Sequence, residues 1–432
     1  MSVAKATQLG LLSLCALGIN GMVGVGIFFV PASIAALIPG TAGIWVYALT
    51  VLAIAPVAVC YALLGARFSR DGGPYVWAQA AFGERVGFAV GWISYVSAVF
   101  STAAVVSGLG QYLGPYLGFV GVSAAQLFAV LATLVLGGLV ACGLRLSAWL
   151  WNSLTLAKLV PLFGLLALAV AAYFHTTPSL PSTPSHAPSA APAGASVWLR
   201  AVLLALFATQ GFEIMPLPAA SIRRRQRTLP VAMAVALSFV MLLYMGLHFA
   251  AVRAVPELSA SSAPLVDAAG ALGGARMGYA VALGTQVSAL GIAFGMFAMT
   301  PRYLAALSSS DGLGSWVGRE SRRQVPLAAL LVTLGLCLLL VLGGGLDSLF
   351  VLASMAVLAQ FSVSVLALGA LAWRRSHGLS RRHLGVAAPA LIPLALVGLG
   401  AERRELIALS AALALGWALR YLQRKLTARA RR

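Results

Sequence analysis

Twelve times along its length this chain runs for close to 20 residues with scarcely a charge, near 9–37, 42–66, 85–114, 122–143, 149–173, 197–219, 229–252, 277–301, 325–345, 347–373, 384–400 and 404–422. About 20 such residues are what a helix needs to cross a bilayer. In hydrocarbon every backbone N–H and C=O must find a partner within the protein, which leaves helices or a closed barrel. Long apolar runs without two-residue alternation are helices. The pattern therefore predicts an all-α membrane protein of twelve transmembrane helices, a single domain over 1–432. Composition agrees: 61% of the 432 residues are hydrophobic and 9% charged, whereas a soluble domain carries roughly a quarter charged residues. A cytosolic enzyme, a nucleic-acid-binding module and a disordered regulator are excluded. Lys5 and the apolar run from Leu9 have the look of a signal peptide, but the run continues past Phe29 without a small-residue cleavage site and reads as a retained first span.

The net charge of +19 has a topological reading. Cytoplasmic loops of membrane proteins accumulate Lys and Arg. With both termini cytoplasmic, only Arg200, Arg253, Arg276, Arg403 and Arg404 fall outside, Lys158 falls within a span, and every other Lys and Arg of the 29 is inside. An inner-membrane, multi-pass protein is expected, its Arg-rich C-terminus a solvated tail near anionic lipid. Cys15, Cys60, Cys142 and Cys337 lie in apolar runs with no CxxC pair, and read as small buried residues rather than ligands or disulfides. The stretch from Thr176 to Ser196, rich in Pro, Ser and Ala, reads as an extracytoplasmic loop.

Two spans are poor helices. The first carries Gly18, Asn20, Gly21, Met22, Gly24, Val25, Gly26 and Pro31 in mid-membrane. Each glycine costs about 1 kcal/mol against alanine in a helix interior. The sixth carries Phe207, Gly211, Phe212, Glu213, Pro216 and Pro218, and its prolines remove backbone donors. Backbone left unpaired by an unwound turn is tolerable in a bilayer where it lines a cavity or a ligand. The breaks open the first helix of each of two five-helix blocks, 9–173 and 197–373, with 384–422 as two further helices. Interrupted helices at corresponding places in two halves point to an inverted-repeat transporter with a midplane site. Half-helix ends there offer N–H groups to a carboxylate and C=O groups to an ammonium. The competing reading makes Gly21, Gly24 and Gly26 mere close-packing residues between helices. Lys158 and Glu213 are the ionisable residues clearly inside spans, and a charge there is a functional candidate by default. Lys158 lies about 13 Å along its helix, near the limit from which a lysine can snorkel.

These stretches resemble the amino acid–polyamine–organocation (APC) superfamily of transporters. Gly24-Val25-Gly26-Ile27-Phe28 with Pro31 is similar to its first-helix signature. Arg67 to Tyr75 and Ala81-Phe82-Gly83 resemble the loop after its second helix. Gly211-Phe212-Glu213, with Ile222-Arg223 and Arg227 to Pro230, resembles the sixth helix and its cytoplasmic tail. Ala305 to Gly312 and Val325-Pro326 resemble the loop after the eighth. Val25 stands where many members have Ser or Thr, which leaves carboxylate binding to backbone donors from Gly24 to Gly26. Ser221, Arg224 and Arg225 depart from the usual tail. The resemblance implies a LeuT-like 5+5 inverted repeat with broken helices 1 and 6. It places Lys158 where sodium-coupled relatives bind a cation, as a proton carrier or a fixed charge, and makes Glu213 a proton-sensing or a structural acid. Phe207 takes the place of an aromatic gate and Phe212 that of a pocket wall. Trp92, Tyr95 and Ser288 are further candidates for the pocket.

The expectation is a secondary transporter of neutral amino acids, coupled to protons and needing no cofactor. Exchange, export, or transport of polyamines or other organic amines are the alternatives; a polycation would want several intramembrane carboxylates, and Glu213 is nearly alone. An intramembrane enzyme has neither HExxH nor GxSxG within a span, the histidines lying mostly in loops. A channel would show a repeated pore motif, and ATP drive would require a Walker sequence.

Overall fold

A computed structural model describes residues 9–24, 26–68, 72–113, 117–144, 148–175, 194–218, 222–308, 313–314 and 316–430. The fourteen helices are α1 (Leu11–Met22), α2 (Gly26–Leu37), α3 (Ile44–Arg67), α4 (Pro74–Phe82), α5 (Glu84–Leu113), α6 (Val122–Ala141), α7 (Ala148–His175), α8 (Ala195–Thr209), α9 (Arg225–Ala254), α10 (Pro264–Ser308), α11 (Leu327–Gly343), α12 (Leu346–Trp373), α13 (Leu384–Gly398) and α14 (Arg403–Ala430). Among the described residues there is no strand; Leu9 and Ile222 form one isolated bridge. Among the described residues seven helices are long and apolar enough to cross a membrane, or eight with the bent pair α1 and α2 taken as one span. The chain is thus a multi-pass helical membrane protein. Large apolar side chains cover its periphery, among them Leu12, Phe174, Leu331 and Leu339; exposed in such numbers, they suit a hydrocarbon solvent.

Helix limits follow from local chemistry. α1 stops at Met22, and α2 starts at Gly26 inclined by 49°. α8 stops at Thr209. Gln210 is extended, Gly211 adopts φ 122°, a conformation open to glycine, and a short 3-10 turn covers Phe212–Ile214. Pro216 and Pro218 follow, and α-helix resumes only at Arg225. Before the expected start at 277, α10 already runs from Pro264 and kinks at Gly274 (φ 74°).

The packing is selective. α5 lies against α12 and α10, α10 against α7, α3 against α9, α1 against α9, α8 against α3, α2 against α8, and α6 against α11. α13 and α14 pack outside this set, on α3, α5, α8 and α12. Arg200, counted on the outer side by the charge distribution, lies within α8. Its guanidinium grips Glu405 of α14 through both terminal nitrogens, at 2.6 and 2.8 Å, the fork geometry that makes such pairs strong. Cys142, expected to be buried, is exposed at the end of α6.

Candidate functional site where the two broken helices meet

The two interrupted segments touch. A methyl group added at Gly211 would lie 2.3 Å from the carbonyl carbon of Gly21 and 2.6 Å from the Met22 nitrogen. One at Gly26 would lie 2.7 Å from Ala208 Cα and 3.1 Å from the Phe207 ring, and one at Gly18 would meet the Met215 sulfur. At Gly211 and Gly26 glycine lets backbone meet backbone. Gly24 differs, with only the Met22 oxygen near it, at 3.8 Å. Close packing therefore accounts for Gly21 and Gly26 but not for Gly24. Val25 lies outside the described residues.

Ending a helix strands its last carbonyls. Val23 N–H takes up the Ile19 carbonyl, and Gly24 N–H turns back on Met22 O at 2.7 Å. Lys158, only 2% exposed, donates from Nζ to the carbonyls of Asn20 (3.1 Å) and Val23 (2.5 Å). Its ammonium thus sits at the negative end of the α1 dipole. Buried against these carbonyls, it does not snorkel. Across the gap, the Tyr244 hydroxyl of α9 lies 2.7 Å from Met22 O and 3.0 Å from Ala208 O. One hydroxyl proton is shared between two carbonyls, one from each interrupted helix, so a single side chain spans both breaks. The start of α2 at Gly26, which lies against Ala208, is the positive end of that helix, and the end of α1 at Met22 is a negative one.

The second break caps itself. Glu213 Oε2 accepts the Gly211 N–H at 2.8 Å, so the carboxylate holds the turn it belongs to. The two candidate aromatics part company. Phe207 stacks on Phe350 of α12, with centroids 4.3 Å apart, beside Gly26. Phe212, fully buried, packs edge-on to Tyr61 and against Phe361. Trp92 donates to Ala412 O of α14, and Tyr95 shares a hydrogen bond with Thr333 of α11. Ser288 is buried on α10. Tyr244 was missed, and so was His248, which lies wholly buried in α9, one turn beyond Tyr244. The signal available was a Tyr and a His four residues apart in an otherwise apolar span.

A helical bundle in lipid, with two interrupted helices meeting at glycines, is the class of architecture that transporters use. Residues 9–415 match the model of a family described as amino acid permease, and the chain belongs to that family, within the APC superfamily. An uncharacterized transporter of Mycobacterium tuberculosis (strain ATCC 25618 / H37Rv) is 30% identical over 337 residues, covering 75% of this chain and 71% of the relative. A second one from that strain is 28% identical over 404 residues, covering 87% and 83%. Cationic amino acid transporter 4 of Mus musculus is 26% identical over 386 residues, covering 84% of this chain and 59% of that longer protein. The molecule is a membrane transporter and not an enzyme.

Proposed function

We propose that the protein is a secondary active transporter of neutral amino acids, working by alternating access about the meeting point of α1, α2 and α8 and coupled to protons. The observation that carries this reading is the treatment of the stranded carbonyls. Those of α1 are held by Lys158 and Tyr244, and the positive dipole end of α2 begins four residues on, which suits an anion. A zwitterion fits such a gap, its carboxylate on the α2 N–H groups and its ammonium toward the carbonyls at the end of α8. Met22, Gly24, Val25, Gly26, Phe207, Gly211 and Phe212 form the proposed binding segments, with Phe207 as the side chain that closes over the solute. Lys158 is the proposed proton carrier. The hydrogen bond from Gly211 favours a structural role for Glu213 over a titrating one.

The packing supports an inverted repeat of five helices. Exchange α1 and α2 with α8, α3 with α9, α5 with α10, α6 with α11 and α7 with α12. The contact of α5 with α12 then becomes that of α10 with α7, and α1 with α9 becomes α8 with α3; α3 with α9, α5 with α10 and α6 with α11 map onto themselves. The twelve-span topology, with both termini cytoplasmic in the inner membrane, accords with this and with the distribution of arginines.

The name of the mouse relative favours a second reading, a cationic amino acid as substrate. A cationic side chain wants a carboxylate, and Glu213 is engaged. Thermal unfolding of the purified protein in detergent decides between them. A ligand at a hundred times its dissociation constant stabilises by about 2.7 kcal/mol. Alanine, serine or leucine should raise the midpoint by several degrees, and the corresponding decarboxylated amines should not. Stabilisation by arginine and lysine alone selects the cationic reading; stabilisation by amines without a carboxylate contradicts the zwitterion site.

A further inference from the structure

One buried polar group on α9 has no part in the clamp. His248 is fully buried one helical turn beyond Tyr244, and neither ring nitrogen has a hydrogen-bond partner. Beside it, the buried hydroxyl of Tyr47 on α3 is also without one. The Tyr47 ring lies edge-on to both neighbours, 5.5 Å from His248 and 5.8 Å from Tyr244 between centroids. An unmade hydrogen bond on a buried polar group costs about 1–3 kcal/mol. Three such atoms on two adjacent rings offer water the two or more polar partners it needs. The way in is thin. Gly40, Thr41 and Ala42 of the turn between α2 and α3 are exposed, Gly43 is buried beneath them, and a methyl on Gly43 would come within 2.6 Å of His248 Nε2. A single glycine separates the imidazole from an exposed turn.

We propose that His248 and Tyr47 hold water and form the entry step for protons, leading from the 40–43 turn toward the break in α1, where Tyr244 and Lys158 hold neighbouring carbonyls. The inference rests on the proton-coupled reading above. A proton arriving at one ring nitrogen of His248 is matched by one leaving from the other, so the imidazole ends neutral with its tautomer exchanged, and ring rotation resets it. The water-linked Tyr47 hydroxyl likewise accepts one proton and yields one; Tyr244, whose hydroxyl donates to backbone carbonyls, takes no part in the transfer, and water in the opened solute site carries the proton to the Lys158 amine. The groups facing His248 suit a relay. The ring packed against it is the phenol of Tyr47; the 40–43 turn and α2 carry no ionisable side chain, on α1 Cys15 lies far off against Ala232, and on α7 the exposed Tyr173 packs on the neighbouring Phe249. Arg253, Glu257, Asp267 and Arg276, at the same end of α9 and α10, are exposed.

The test uses the whole protein in liposomes, with alanine and arginine as labelled probes. In H248F and Y47F, accumulation driven by an acidic exterior should fall by an order of magnitude or more, while counterflow exchange without a gradient stays within a few-fold of wild type. Gradient-driven accumulation at the wild-type level in H248F overturns the relay. If the wild type itself accumulates nothing under the gradient, the proton-coupled reading fails, and the relay with it. A substrate-free measurement stands beside this: pulsed X-ray hydroxyl-radical labelling modifies side chains next to bound water even when they are buried. Tyr47 should be labelled in the wild type and several-fold less in H248F; an unlabelled Tyr47 in the wild type overturns the hydrated site whatever the transport result.

Discussion

Lys158→Met abolishes uptake driven by a pH gradient while the protein still reaches the membrane. The ammonium of Lys158 holds two carbonyls at the broken end of α1, and methionine fills similar space without a donor. Hydrogen bonds to a charged group are worth about 1.5–3 kcal/mol each, so the variant also loses several degrees of thermal stability. The end of α1 is left with stranded acceptors beside the proposed solute site. Lys158→Arg separates the two roles a lysine can have here. Arginine keeps the charge and stays protonated. A fixed charge predicts gradient-driven accumulation close to wild type in that variant; a proton carrier predicts that accumulation collapses while exchange survives. Unchanged accumulation in Lys158→Met removes the residue from the mechanism altogether.

Gly211→Val eliminates both binding and transport. At φ 122° the residue occupies backbone space that a β-branched side chain avoids. The new side chain would also meet the Gly21 carbonyl carbon at 2.3 Å and the Met22 nitrogen at 2.6 Å. These are backbone atoms, which cannot swing aside as the tip of a side chain would. The strained backbone alone costs about 1–3 kcal/mol, and the clash forces the two interrupted helices apart. Gly138→Ala is the matched control. On α6 it has nothing within 4 Å, and alanine there stabilises a helix by about 1 kcal/mol. Transport at the wild-type rate in Gly211→Val would mean that contact between the breaks is not required.

Both breaks could be located in the sequence because glycine and proline are costly in mid-membrane and therefore conspicuous. Lys158 was conspicuous for the same reason, a charge in an apolar run. What escaped was whatever depends on which helix crosses which. Tyr244 is an ordinary residue in an apolar helix until α9 passes both breaks at once and its hydroxyl reaches a carbonyl of each. Gly26 was expected to expose backbone donors; the structure adds a packing reason, Ala208 lying against it. Phe212, expected at the pocket wall, follows the positive φ of Gly211, and the turn that begins there carries its ring to Tyr61 and Phe361. The first part of α10 was missed because Ala268 to Gly278 carries four glycines and an arginine, a composition too mixed for a span.

The central claim is that the two breaks jointly hold the transported solute. Electron cryo-microscopy of the protein, saturated with the amino acid that stabilises it most, tests this directly. The account predicts solute density between the end of α1 and the start of α2, its carboxylate within hydrogen-bond distance of the N–H groups following Gly24 and its ammonium facing the carbonyls at the end of α8. Density elsewhere in the bundle, with both segments wound as continuous helices, would contradict it.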